Sequence, residues 1–600
     1  MILSIPILLS LAPLLAWADL SCRPDGPVTP RPTHLGQSES LRQVAENLTS
    51  VFDQAVAGEM RAGWAVENTS FSLAFVSFDQ DDPGVPVWEY HHLAEANVNG
   101  TKNLTRDSQY LIGSVTKVFA DLALLKSGLN LDESITKFLP ALANSSSEIQ
   151  WNDISLRALG SHLSGIPSNY GFSEYAFLGD LFRSLGFPEV SPSDYPTCGV
   201  IGVNEACNKQ TLLEGLASAL PISAVNERPA YSNLALTLLA LAIEEKTGEN
   251  FTEQIKNHIA DPLGLKATAP SPGDSAVAVI PPIENTWGSD YGLNAPAGGL
   301  VSTLSDLSRF AQSILSRTVL SPAQTRAWLK PSSLTGSLRS QVGLPWEIYR
   351  PEGILPDHPS YAATIYAKSG GAYGYRAQLA LLDSHGVAFV LLTAGDMTAL
   401  PFMYDAMLST LVPAIDDVSR SQAEAQLARN FSSPSCGTPG GNNGTGDASC
   451  VQATLTLDDS FQLTSLERNG QDILAGLGII WNSTIGSQLS PIEPIYRLYP
   501  TEDVRSSKLS DGRVVLVEAW RFWVTQVWND PSSSDLPGQG LWSKDCTSWT
   551  LNDWIQYGGE PVDRILVVRD EKTGEVIGLE VPFLRSGLLL TSGGSKESSR

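Results

Sequence analysis

The chain is built from blocks whose apolar residues recur with different periods. Gln109-Tyr110-Leu111-Ile112 is a short strand-like run. Beyond Gly113 comes Val118-Phe119-Ala120-Asp121-Leu122-Ala123-Leu124-Leu125, apolar nearly all round and so predicted as a helix buried on every side. Leu234 to Ile243 predicts a second helix of this kind, with Tyr231-Ser232-Asn233 just ahead of it. Gln378-Leu379-Ala380-Leu381-Leu382 and Val387-Ala388-Phe389-Val390-Leu391-Leu392 read as strands joined by the turn Asp383-Ser384-His385-Gly386. An apolar stretch from Met407 to Ala414 closes this first domain, placed at 35–415.

Residues 416–450 are expected to form a linker, with an acidic, Ala-rich helical piece (Gln422 to Arg429) and then Ser432 to Ser449, rich in Ser, Gly, Pro and Asn. Beyond it the period becomes two, in Ala453-Thr454-Leu455-Thr456-Leu457, in Val514 to Val524 and in Arg564-Ile565-Leu566-Val567-Val568. Turn signals at Asn469-Gly470 and Asp511-Gly512 separate these runs, so 451–590 is predicted as an antiparallel β-domain, a sandwich or barrel. Its tryptophans (Trp481, Trp520, Trp523, Trp528, Trp542, Trp549 and Trp554) are assigned to its core, since Trp is highly buried on average, with a ligand-binding role, carbohydrate or surface attachment among them, as the alternative. Residues 591–600 are expected to be a disordered tail.

The N-terminus sets the compartment. Residues 1–18 are apolar and end in Ala16-Trp17-Ala18, a small-x-small cleavage pattern that predicts a signal peptide and a secreted, extracellular protein. The run is too short for a comfortable membrane span, so no membrane anchor is expected. Nine Asn-x-Ser/Thr sequons, at Asn47, Asn68, Asn99, Asn103, Asn144, Asn250, Asn430, Asn443 and Asn482, predict a glycoprotein of the eukaryotic secretory route, with a filamentous fungus as the expected source. Six cysteines in that context predict disulfides: Cys198 with Cys207, Cys436 with Cys450, and Cys22 left for Cys546. A formal net charge of -25 repels phosphate backbones and argues against nucleic-acid binding. The seven histidines are scattered, with no His-x-x-x-His helix pair, so no metal or other cofactor is expected. The absence of a Gly-x-Ser-x-Gly elbow argues against an α/β-hydrolase.

The candidate chemistry starts at Ser114-Val115-Thr116-Lys117. On a helix, positions i and i+3 share a face, so the Lys117 amine can reach the Ser114 hydroxyl and take its proton. Ser134-Ile135-Thr136-Lys137 fits the same pattern, but Ser134 reads as a residue of a first helical turn. Ser114 instead opens a buried helix, where it is rigid and near the positive end of the helix dipole. Tyr231 is placed to shuttle a proton, and Asn233 to bond Lys117 or the substrate. Of four Lys-Ser/Thr-Gly triplets, Lys126-Ser127-Gly128 and Lys246-Thr247-Gly248 read as helix C-caps and Lys572-Thr573-Gly574 as a hairpin turn. Lys368-Ser369-Gly370 alone begins a strand, and small residues at 369–371 let a substrate lie along its edge. Lys368 is expected to favour the deprotonated forms of both Tyr231 and Lys117.

Ser-x-x-Lys, Tyr-x-Asn and Lys-Ser-Gly, in this order, resemble the serine β-lactamase and penicillin-binding-protein superfamily, and the middle motif resembles its class C branch. His162-Leu163-Ser164-Gly165, Asp261-Pro262-Leu263-Gly264-Leu265 and Pro296-Ala297-Gly298-Gly299-Leu300 resemble further blocks of that family. The accessory C-terminal domain resembles that of secreted fungal β-lactamase-like proteins. The resemblance implies an α+β fold, an antiparallel sheet flanked by helices with a helical subdomain, joined to the mainly antiparallel second domain. It also implies Ser114 as the acylated nucleophile, Lys117 and Tyr231 as joint general base, Lys368 as electrostatic support and Asn233 as an orienting group. Ser369, Gly370 and Gly371 would line the substrate, with the N–H groups of Ser114 and Gly371 as oxyanion hole. His162 is assigned a structural role, its motif lying in a turn-rich loop rather than beside the triplets. The expected activity is a serine hydrolase on a small ester or amide, foremost an esterase or acyl-transferring enzyme, in natural-product metabolism among other settings. Behind it stand β-lactam or D-amino-acid amide hydrolysis, and a non-catalytic binding protein on the same fold.

Overall fold

The computed structural model describes residues 23–143, 145–171, 178–191, 198, 207–358, 361–436, 449–487, 492–526, 533–537 and 548–591. Outside them lie the signal segment, Cys22, Cys546, Trp528, Trp542, Asn144, Asn443, residues 437–448 of the expected linker and all but Thr591 of the expected tail. Two compact units divide the chain: Arg31–Ile354 with Ala363–Val418, and a second that includes Leu355–Ala362 and everything from Ser419 onward.

In the first unit, α1 (Glu39–Val56) precedes β1 (Ser70–Ser77) and β2 (Trp88–His92). The buried helices α2 (Thr116–Lys126) and α3 (Asn233–Thr247) follow, then α4 (Leu304–Leu315). The chain returns to the sheet with β3 (Ser333–Leu334), β4 (Ser340–Val342), β5 (Glu347–Tyr349), β6 (Ile365–Ala372), β7 (Tyr375–Leu382) and β8 (Val387–Ala394), and leaves it through α5 (Ala399–Leu427). The eight strands form one sheet in the order β2-β1-β8-β7-β6-β5-β4-β3. β1, β7 and β8 are almost wholly buried, as expected for strands covered on both faces. On one face Phe52 of α1 packs against Phe71, Trp88 and Tyr90. This is the α+β architecture expected from the sequence.

The helical part forms where the sequence places it. Every residue of α2 from Thr116 to Leu124 is buried, as is every residue of α3 from Leu234 to Ile243. α3 starts where the Ser232 hydroxyl accepts from the Ala235 N–H at 3.0 Å, and stops at Gly248, whose φ of 77° closes the last turn. Lys246-Thr247-Gly248 is therefore the helix end expected of it, and Lys572-Thr573-Gly574 lies in a turn whose Asp570 carboxylate accepts from the N–H groups of Lys572 and Thr573.

The second unit is an antiparallel barrel of eight strands: β9 (Asn430–Ser432), β10 (Val451–Leu457), β11 (Phe461–Arg468), β12 (Ile492–Lys508), β13 (Val514–Gln526), β14 (Arg564–Asp570), β15 (Val576–Glu580) and β16 (Leu588–Thr591). The order β10-β9-β16-β15-β14-β13-β12-β11 closes because β11 also pairs with β10. Closure pairs the two end strands of the order with each other. Along β10, Val451, Ala453 and Leu455 are buried in alternation, and Trp520, Phe522 and Val524 of β13 join them in the core. α6 (Ile473–Ser483), capped by Asp472, adds Leu474, Leu477 and Trp481 to that core.

Two expectations are corrected here. Residues 416–427 continue α5 and Asn430–Ser432 is already a barrel strand, so much of the expected linker is regular structure. The acidic, Ala-rich composition that read as a separate piece simply extends the preceding apolar helix. Trp481 and Trp520 are buried and Trp523 is half-buried, but Trp549 and Trp554 are exposed, at 70% and 50%. Both lie on the excursion between β13 and β14 rather than on a strand. Cys198–Cys207 and Cys436–Cys450 are disulfides. Such bonds are consistent with secretion, and among the described residues no helix is long and apolar enough to cross a membrane. Asn47, Asn99, Asn103, Asn250, Asn430 and Asn482 are exposed, and Asn68 is half-buried.

Trp520 is 1% exposed and packs edge-on against Phe461. Trp520→Ala is expected to cost the barrel about 3–5 kcal/mol, measured as a lowered midpoint of its unfolding transition in guanidinium chloride.

Candidate active site

Ser114 stands in a 3-10 turn, Gly113–Val115, that runs straight into α2, and Gly113 makes the bend with φ of 52°. β6 lies directly against this turn. A Cβ on Gly113 would sit 2.5 Å from the Gly371 nitrogen, and one on Gly370 would sit 2.0 Å from the Ile112 carbonyl oxygen. Only glycine at both positions lets the strand approach the nucleophile's backbone so closely. β5 pairs with β6 no further than Ala367, so Ser369 to Gly371 have a strand partner on the β7 side only. The other side of β6 there is an open edge.

Five of the predicted side chains converge on this edge. Ser114 Oγ is 3.1 Å from Lys117 Nζ and 2.7 Å from the Tyr231 hydroxyl. Lys117 Nζ also donates to Asn233 Oδ1 at 2.7 Å and to the Ala297 carbonyl. Asn233 is oriented by its own Nδ2, which donates to Asn169 Oδ1 at 2.8 Å. Lys117 and Lys368 stand over the Tyr231 ring, 4.8 and 5.2 Å from its centroid. Ser369 does not reach Ser114; its hydroxyl and its N–H both donate to Glu347.

These contacts suit a neutral Lys117. An uncharged amine has two N–H donors and one lone pair. Asn233 Oδ1 and the Ala297 carbonyl can only accept, so they take both donors. Ser114 can donate, and its O–H then points at the lone pair, while Tyr231 donates to Ser114 in turn. Burial holds the Lys117 pKa well below its ordinary value; the Lys368 charge pushes the same way, against Glu347 and Asp121. Lys368, 1% exposed, is itself lowered by burial, against the pull of Glu347, with which it forms an ion pair.

For Tyr231 the expectation reverses. Burial pushes its pKa up and Glu347 adds to that, against the hydrogen bond with Ser114, so the phenol keeps its proton. Its ring remains 40% exposed, which tempers the size of the effect but not its direction.

His162 is also nearer the site than its loop position implied. Its ring lies 4.5 Å from that of Tyr231, and its Nδ1 accepts from the Ser232 N–H at 3.3 Å. Its carbonyl accepts from Ala230 N–H at 2.8 Å, so His162 props up the segment that carries Tyr231 and Asn233. Burial, then the two lysines, hold its pKa well below the ordinary value, so the ring is neutral.

Sequence reasoning missed Glu347 altogether. It is one acidic residue in Trp346-Glu347-Ile348-Tyr349, and nothing local marks it; only strand pairing sets it opposite Ala367, beside Lys368. It likewise left Asp121 unassigned. That carboxyl is fully buried one turn beyond Lys117 with no hydrogen-bond partner among the described residues, and burial raises its pKa well above the ordinary value. Among the described residues no group of three or more His, Cys, Asp or Glu side chains could hold a metal.

A family model described as "Beta-lactamase" matches residues 48–412. The chain belongs to the beta-lactamase family. Residues 419–592 match a model described as "Beta-lactamase-like-like, C-terminal domain". A "Beta-lactamase-like protein" of Arthroderma benhamiae is 43% identical over 577 residues, covering 95% of this chain and 96% of the relative. A "Probable hydrolase M10" of a Phoma species is 24% identical, covering 93% and 89%. Among solved structures, "A class C beta-lactamase" is similar with a TM-score of 0.44 at 17% identity, over 62% of this chain and 96% of that one. The chain is thus similar along nearly its whole length to relatives named as a beta-lactamase-like protein and a probable hydrolase.

Glu347→Gln would remove the charge that holds both lysine pKa values up. Lys117 and Lys368 are then expected to titrate at lower pH than in the parent, followed by 13C NMR of ε-labelled lysine. Unchanged midpoints would take Glu347 out of the site's electrostatics.

Proposed function

We propose that this chain is a secreted serine hydrolase that works through an acyl-enzyme on Ser114, most simply an esterase or acyl-transferring enzyme. The observation that carries the reading is the single oxygen, Ser114 Oγ, within hydrogen-bond reach of both Lys117 Nζ and the Tyr231 hydroxyl. A general base must lie within about 2.6–3.2 Å of the proton it removes. Lys117 meets that condition with its pKa lowered.

In the proposed reaction the Lys117 lone pair takes the Ser114 proton as Oγ attacks the ester carbonyl. The backbone N–H groups of Ser114 and Gly371 receive the oxyanion, each such donor being worth about 2.7–4 kcal/mol of transition-state stabilisation. The tetrahedral intermediate collapses, and Tyr231, still holding its proton, gives it to the leaving oxygen. Acylation thus leaves Lys117 protonated and Tyr231 as tyrosinate; in deacylation the tyrosinate takes the acceptor's proton and Lys117 returns its own to Ser114 Oγ, which restores both groups. Water, or an acceptor alcohol, then attacks the acyl-enzyme by the reverse proton path. Lys368 supplies positive charge beside Tyr231, and Asn233 holds Lys117 in register. A secreted eukaryotic protein meets no peptidoglycan of its own, which favours esters and transferable acyl groups over cell-wall amides.

Stopped-flow hydrolysis of p-nitrophenyl butyrate is expected to show a burst equal to the enzyme concentration, lost in Ser114→Ala. Release no faster than that variant's, with nitrocefin equally untouched, would sink the acyl-enzyme reading. In the parent, kcat/KM is expected to rise with pH as Lys117 loses its proton, with a midpoint well below the lysine value of 10.5. Lys117→Met should abolish that limb and cost at least about 10²-fold in rate, the lower end for a positioned base.

A further inference from the structure

Just ahead of the Tyr231 segment the chain makes an excursion whose base belongs to the site itself. The Ser168 carbonyl accepts from the Asn233 N–H at 2.7 Å, and the Ser168 hydroxyl donates to the Tyr231 carbonyl at 2.7 Å. Asn169 accepts from Asn233 Nδ2. Two residues on, Gly171 (φ 74°) lies against the chain returning at Cys198; a Cβ on it would sit 2.2 Å from the Cys198 carbonyl oxygen. The Cys198–Cys207 disulfide ties the returning chain down. The excursion thus springs from a closed neck bonded to the partners of Ser114.

Its tip, residues 178–191, is apolar and stands in water. A short helix, Gly179–Ser184, gives way to Gly186, whose φ of 92° turns the chain back, and Pro188 bars any continuation. The turn brings Phe187 onto Phe182, edge to face, with ring centroids 5.3 Å apart. Leu181, Phe182, Leu185, Phe187 and Val190 are nevertheless 38–67% exposed, and every residue from Asp180 to Ser191 is exposed. Large apolar side chains gathered in one exposed stretch mark an interaction surface.

We infer that this tip is an interfacial docking element, which enters the surface of an aggregated, uncharged acyl ester and brings that surface to Ser114. An unbroken run of exposed residues is a projection rather than a groove, and a fluid phase closes around a projection. Leu and Phe are residues of helices that lie in lipid interfaces, whereas protein hot spots favour Trp, Tyr and Arg, with Leu and Val under-represented. The one cation of the tip, Arg183, is paired with Asp180, so none is left for an anionic headgroup. The formal net charge of -25 repels such a surface as well. Because the neck is bonded to Tyr231 and Asn233, docking concentrates the ester beside the nucleophile. The substrate class is then esters too apolar to dissolve singly in water. The inference rests on the ester-hydrolase reading above.

Flotation of full-length protein with triolein droplets coated in phosphatidylcholine tests the docking itself, in a Ser114→Ala background that leaves the droplets intact. Leu185→Ser with Phe187→Ser is expected to weaken partition at least about tenfold, since each side chain is worth that much when taken out of water. A second pair, Leu181→Ser with Val190→Ser, should act in the same direction, so the result does not hang on the folding of one variant. Partition unchanged by both pairs, or no flotation of Ser114→Ala, overturns the inference. Flotation only with droplets coated in phosphatidylglycerol overturns it too. With catalysis intact, the rate on tributyrin is expected to climb more steeply above its solubility limit than below it. Leu185→Ser with Phe187→Ser should lower the ratio of the emulsified rate to that on dissolved p-nitrophenyl butyrate by a similar factor, and an unchanged ratio overturns the substrate class. A parent no more active than Ser114→Ala on either ester would end the hydrolase reading, while flotation still decides the docking.

Discussion

Burying Lys117 is the constraint around which the site is arranged. An ammonium taken out of water costs several kcal/mol unless its charge is matched, and Lys117 is fully buried. Its three neighbours could satisfy either protonation state, since Ser114 can both give and accept a proton. What breaks the tie is burial itself, and Lys368, a second buried cation over the same tyrosine ring, pushes the same way. Two charged amines so close repel, and Glu347 pairs with Lys368 only. The energy that would otherwise be lost in holding two cations is avoided by leaving the proton off Lys117. Lys117 is therefore the amine the fold cannot easily charge, the state that its proposed role as base requires.

The backbone makes this placement possible. α2 and α3 are apolar on every side, so neither can rotate to carry Lys117 or Asn233 into solvent without exposing leucines. β6 is held by β7 and seats against the turn before α2 only because residues 113 and 370 have no side chain. Here the two parts meet backbone to backbone, Ile112–Ser114 against Gly370–Gly371. Ser114, Lys117 and the open strand edge occupy fixed positions relative to that contact.

The legible parts of this site were those set by local rules. The start of α3 follows from Ser232 as N-cap, and three of the four Lys-Ser/Thr-Gly triplets could be set aside because helix ends and hairpin turns need the same residues. Ser114, Lys117, Tyr231, Asn233 and Lys368 were found because each belongs to a short motif. Glu347 was not, since a single acid on a short strand has no motif and acquires its partner only through pairing with β6. The upward push on Tyr231 was missed because its first cause is burial of the phenol, which no motif displays, with Glu347 adding to it. His162 was placed in the right loop, but nothing in one dimension shows that this loop folds back under Tyr231. The barrel was legible as alternating strands, whereas Trp549 and Trp554 escaped because burial statistics for Trp say nothing about an excursion between strands.

Charge at two length scales separates the surface from the site. The formal net charge of -25 creates a field that attracts protons and repels anions. At physiological ionic strength that field decays over about 8 Å, so it cannot set the state of a lysine enclosed by the fold. Contact-range groups decide there, and they oppose the surface: burial and Lys368 both disfavour a proton on Lys117. Added salt therefore changes how charged molecules approach the surface and leaves the state of the enclosed lysine to its neighbours.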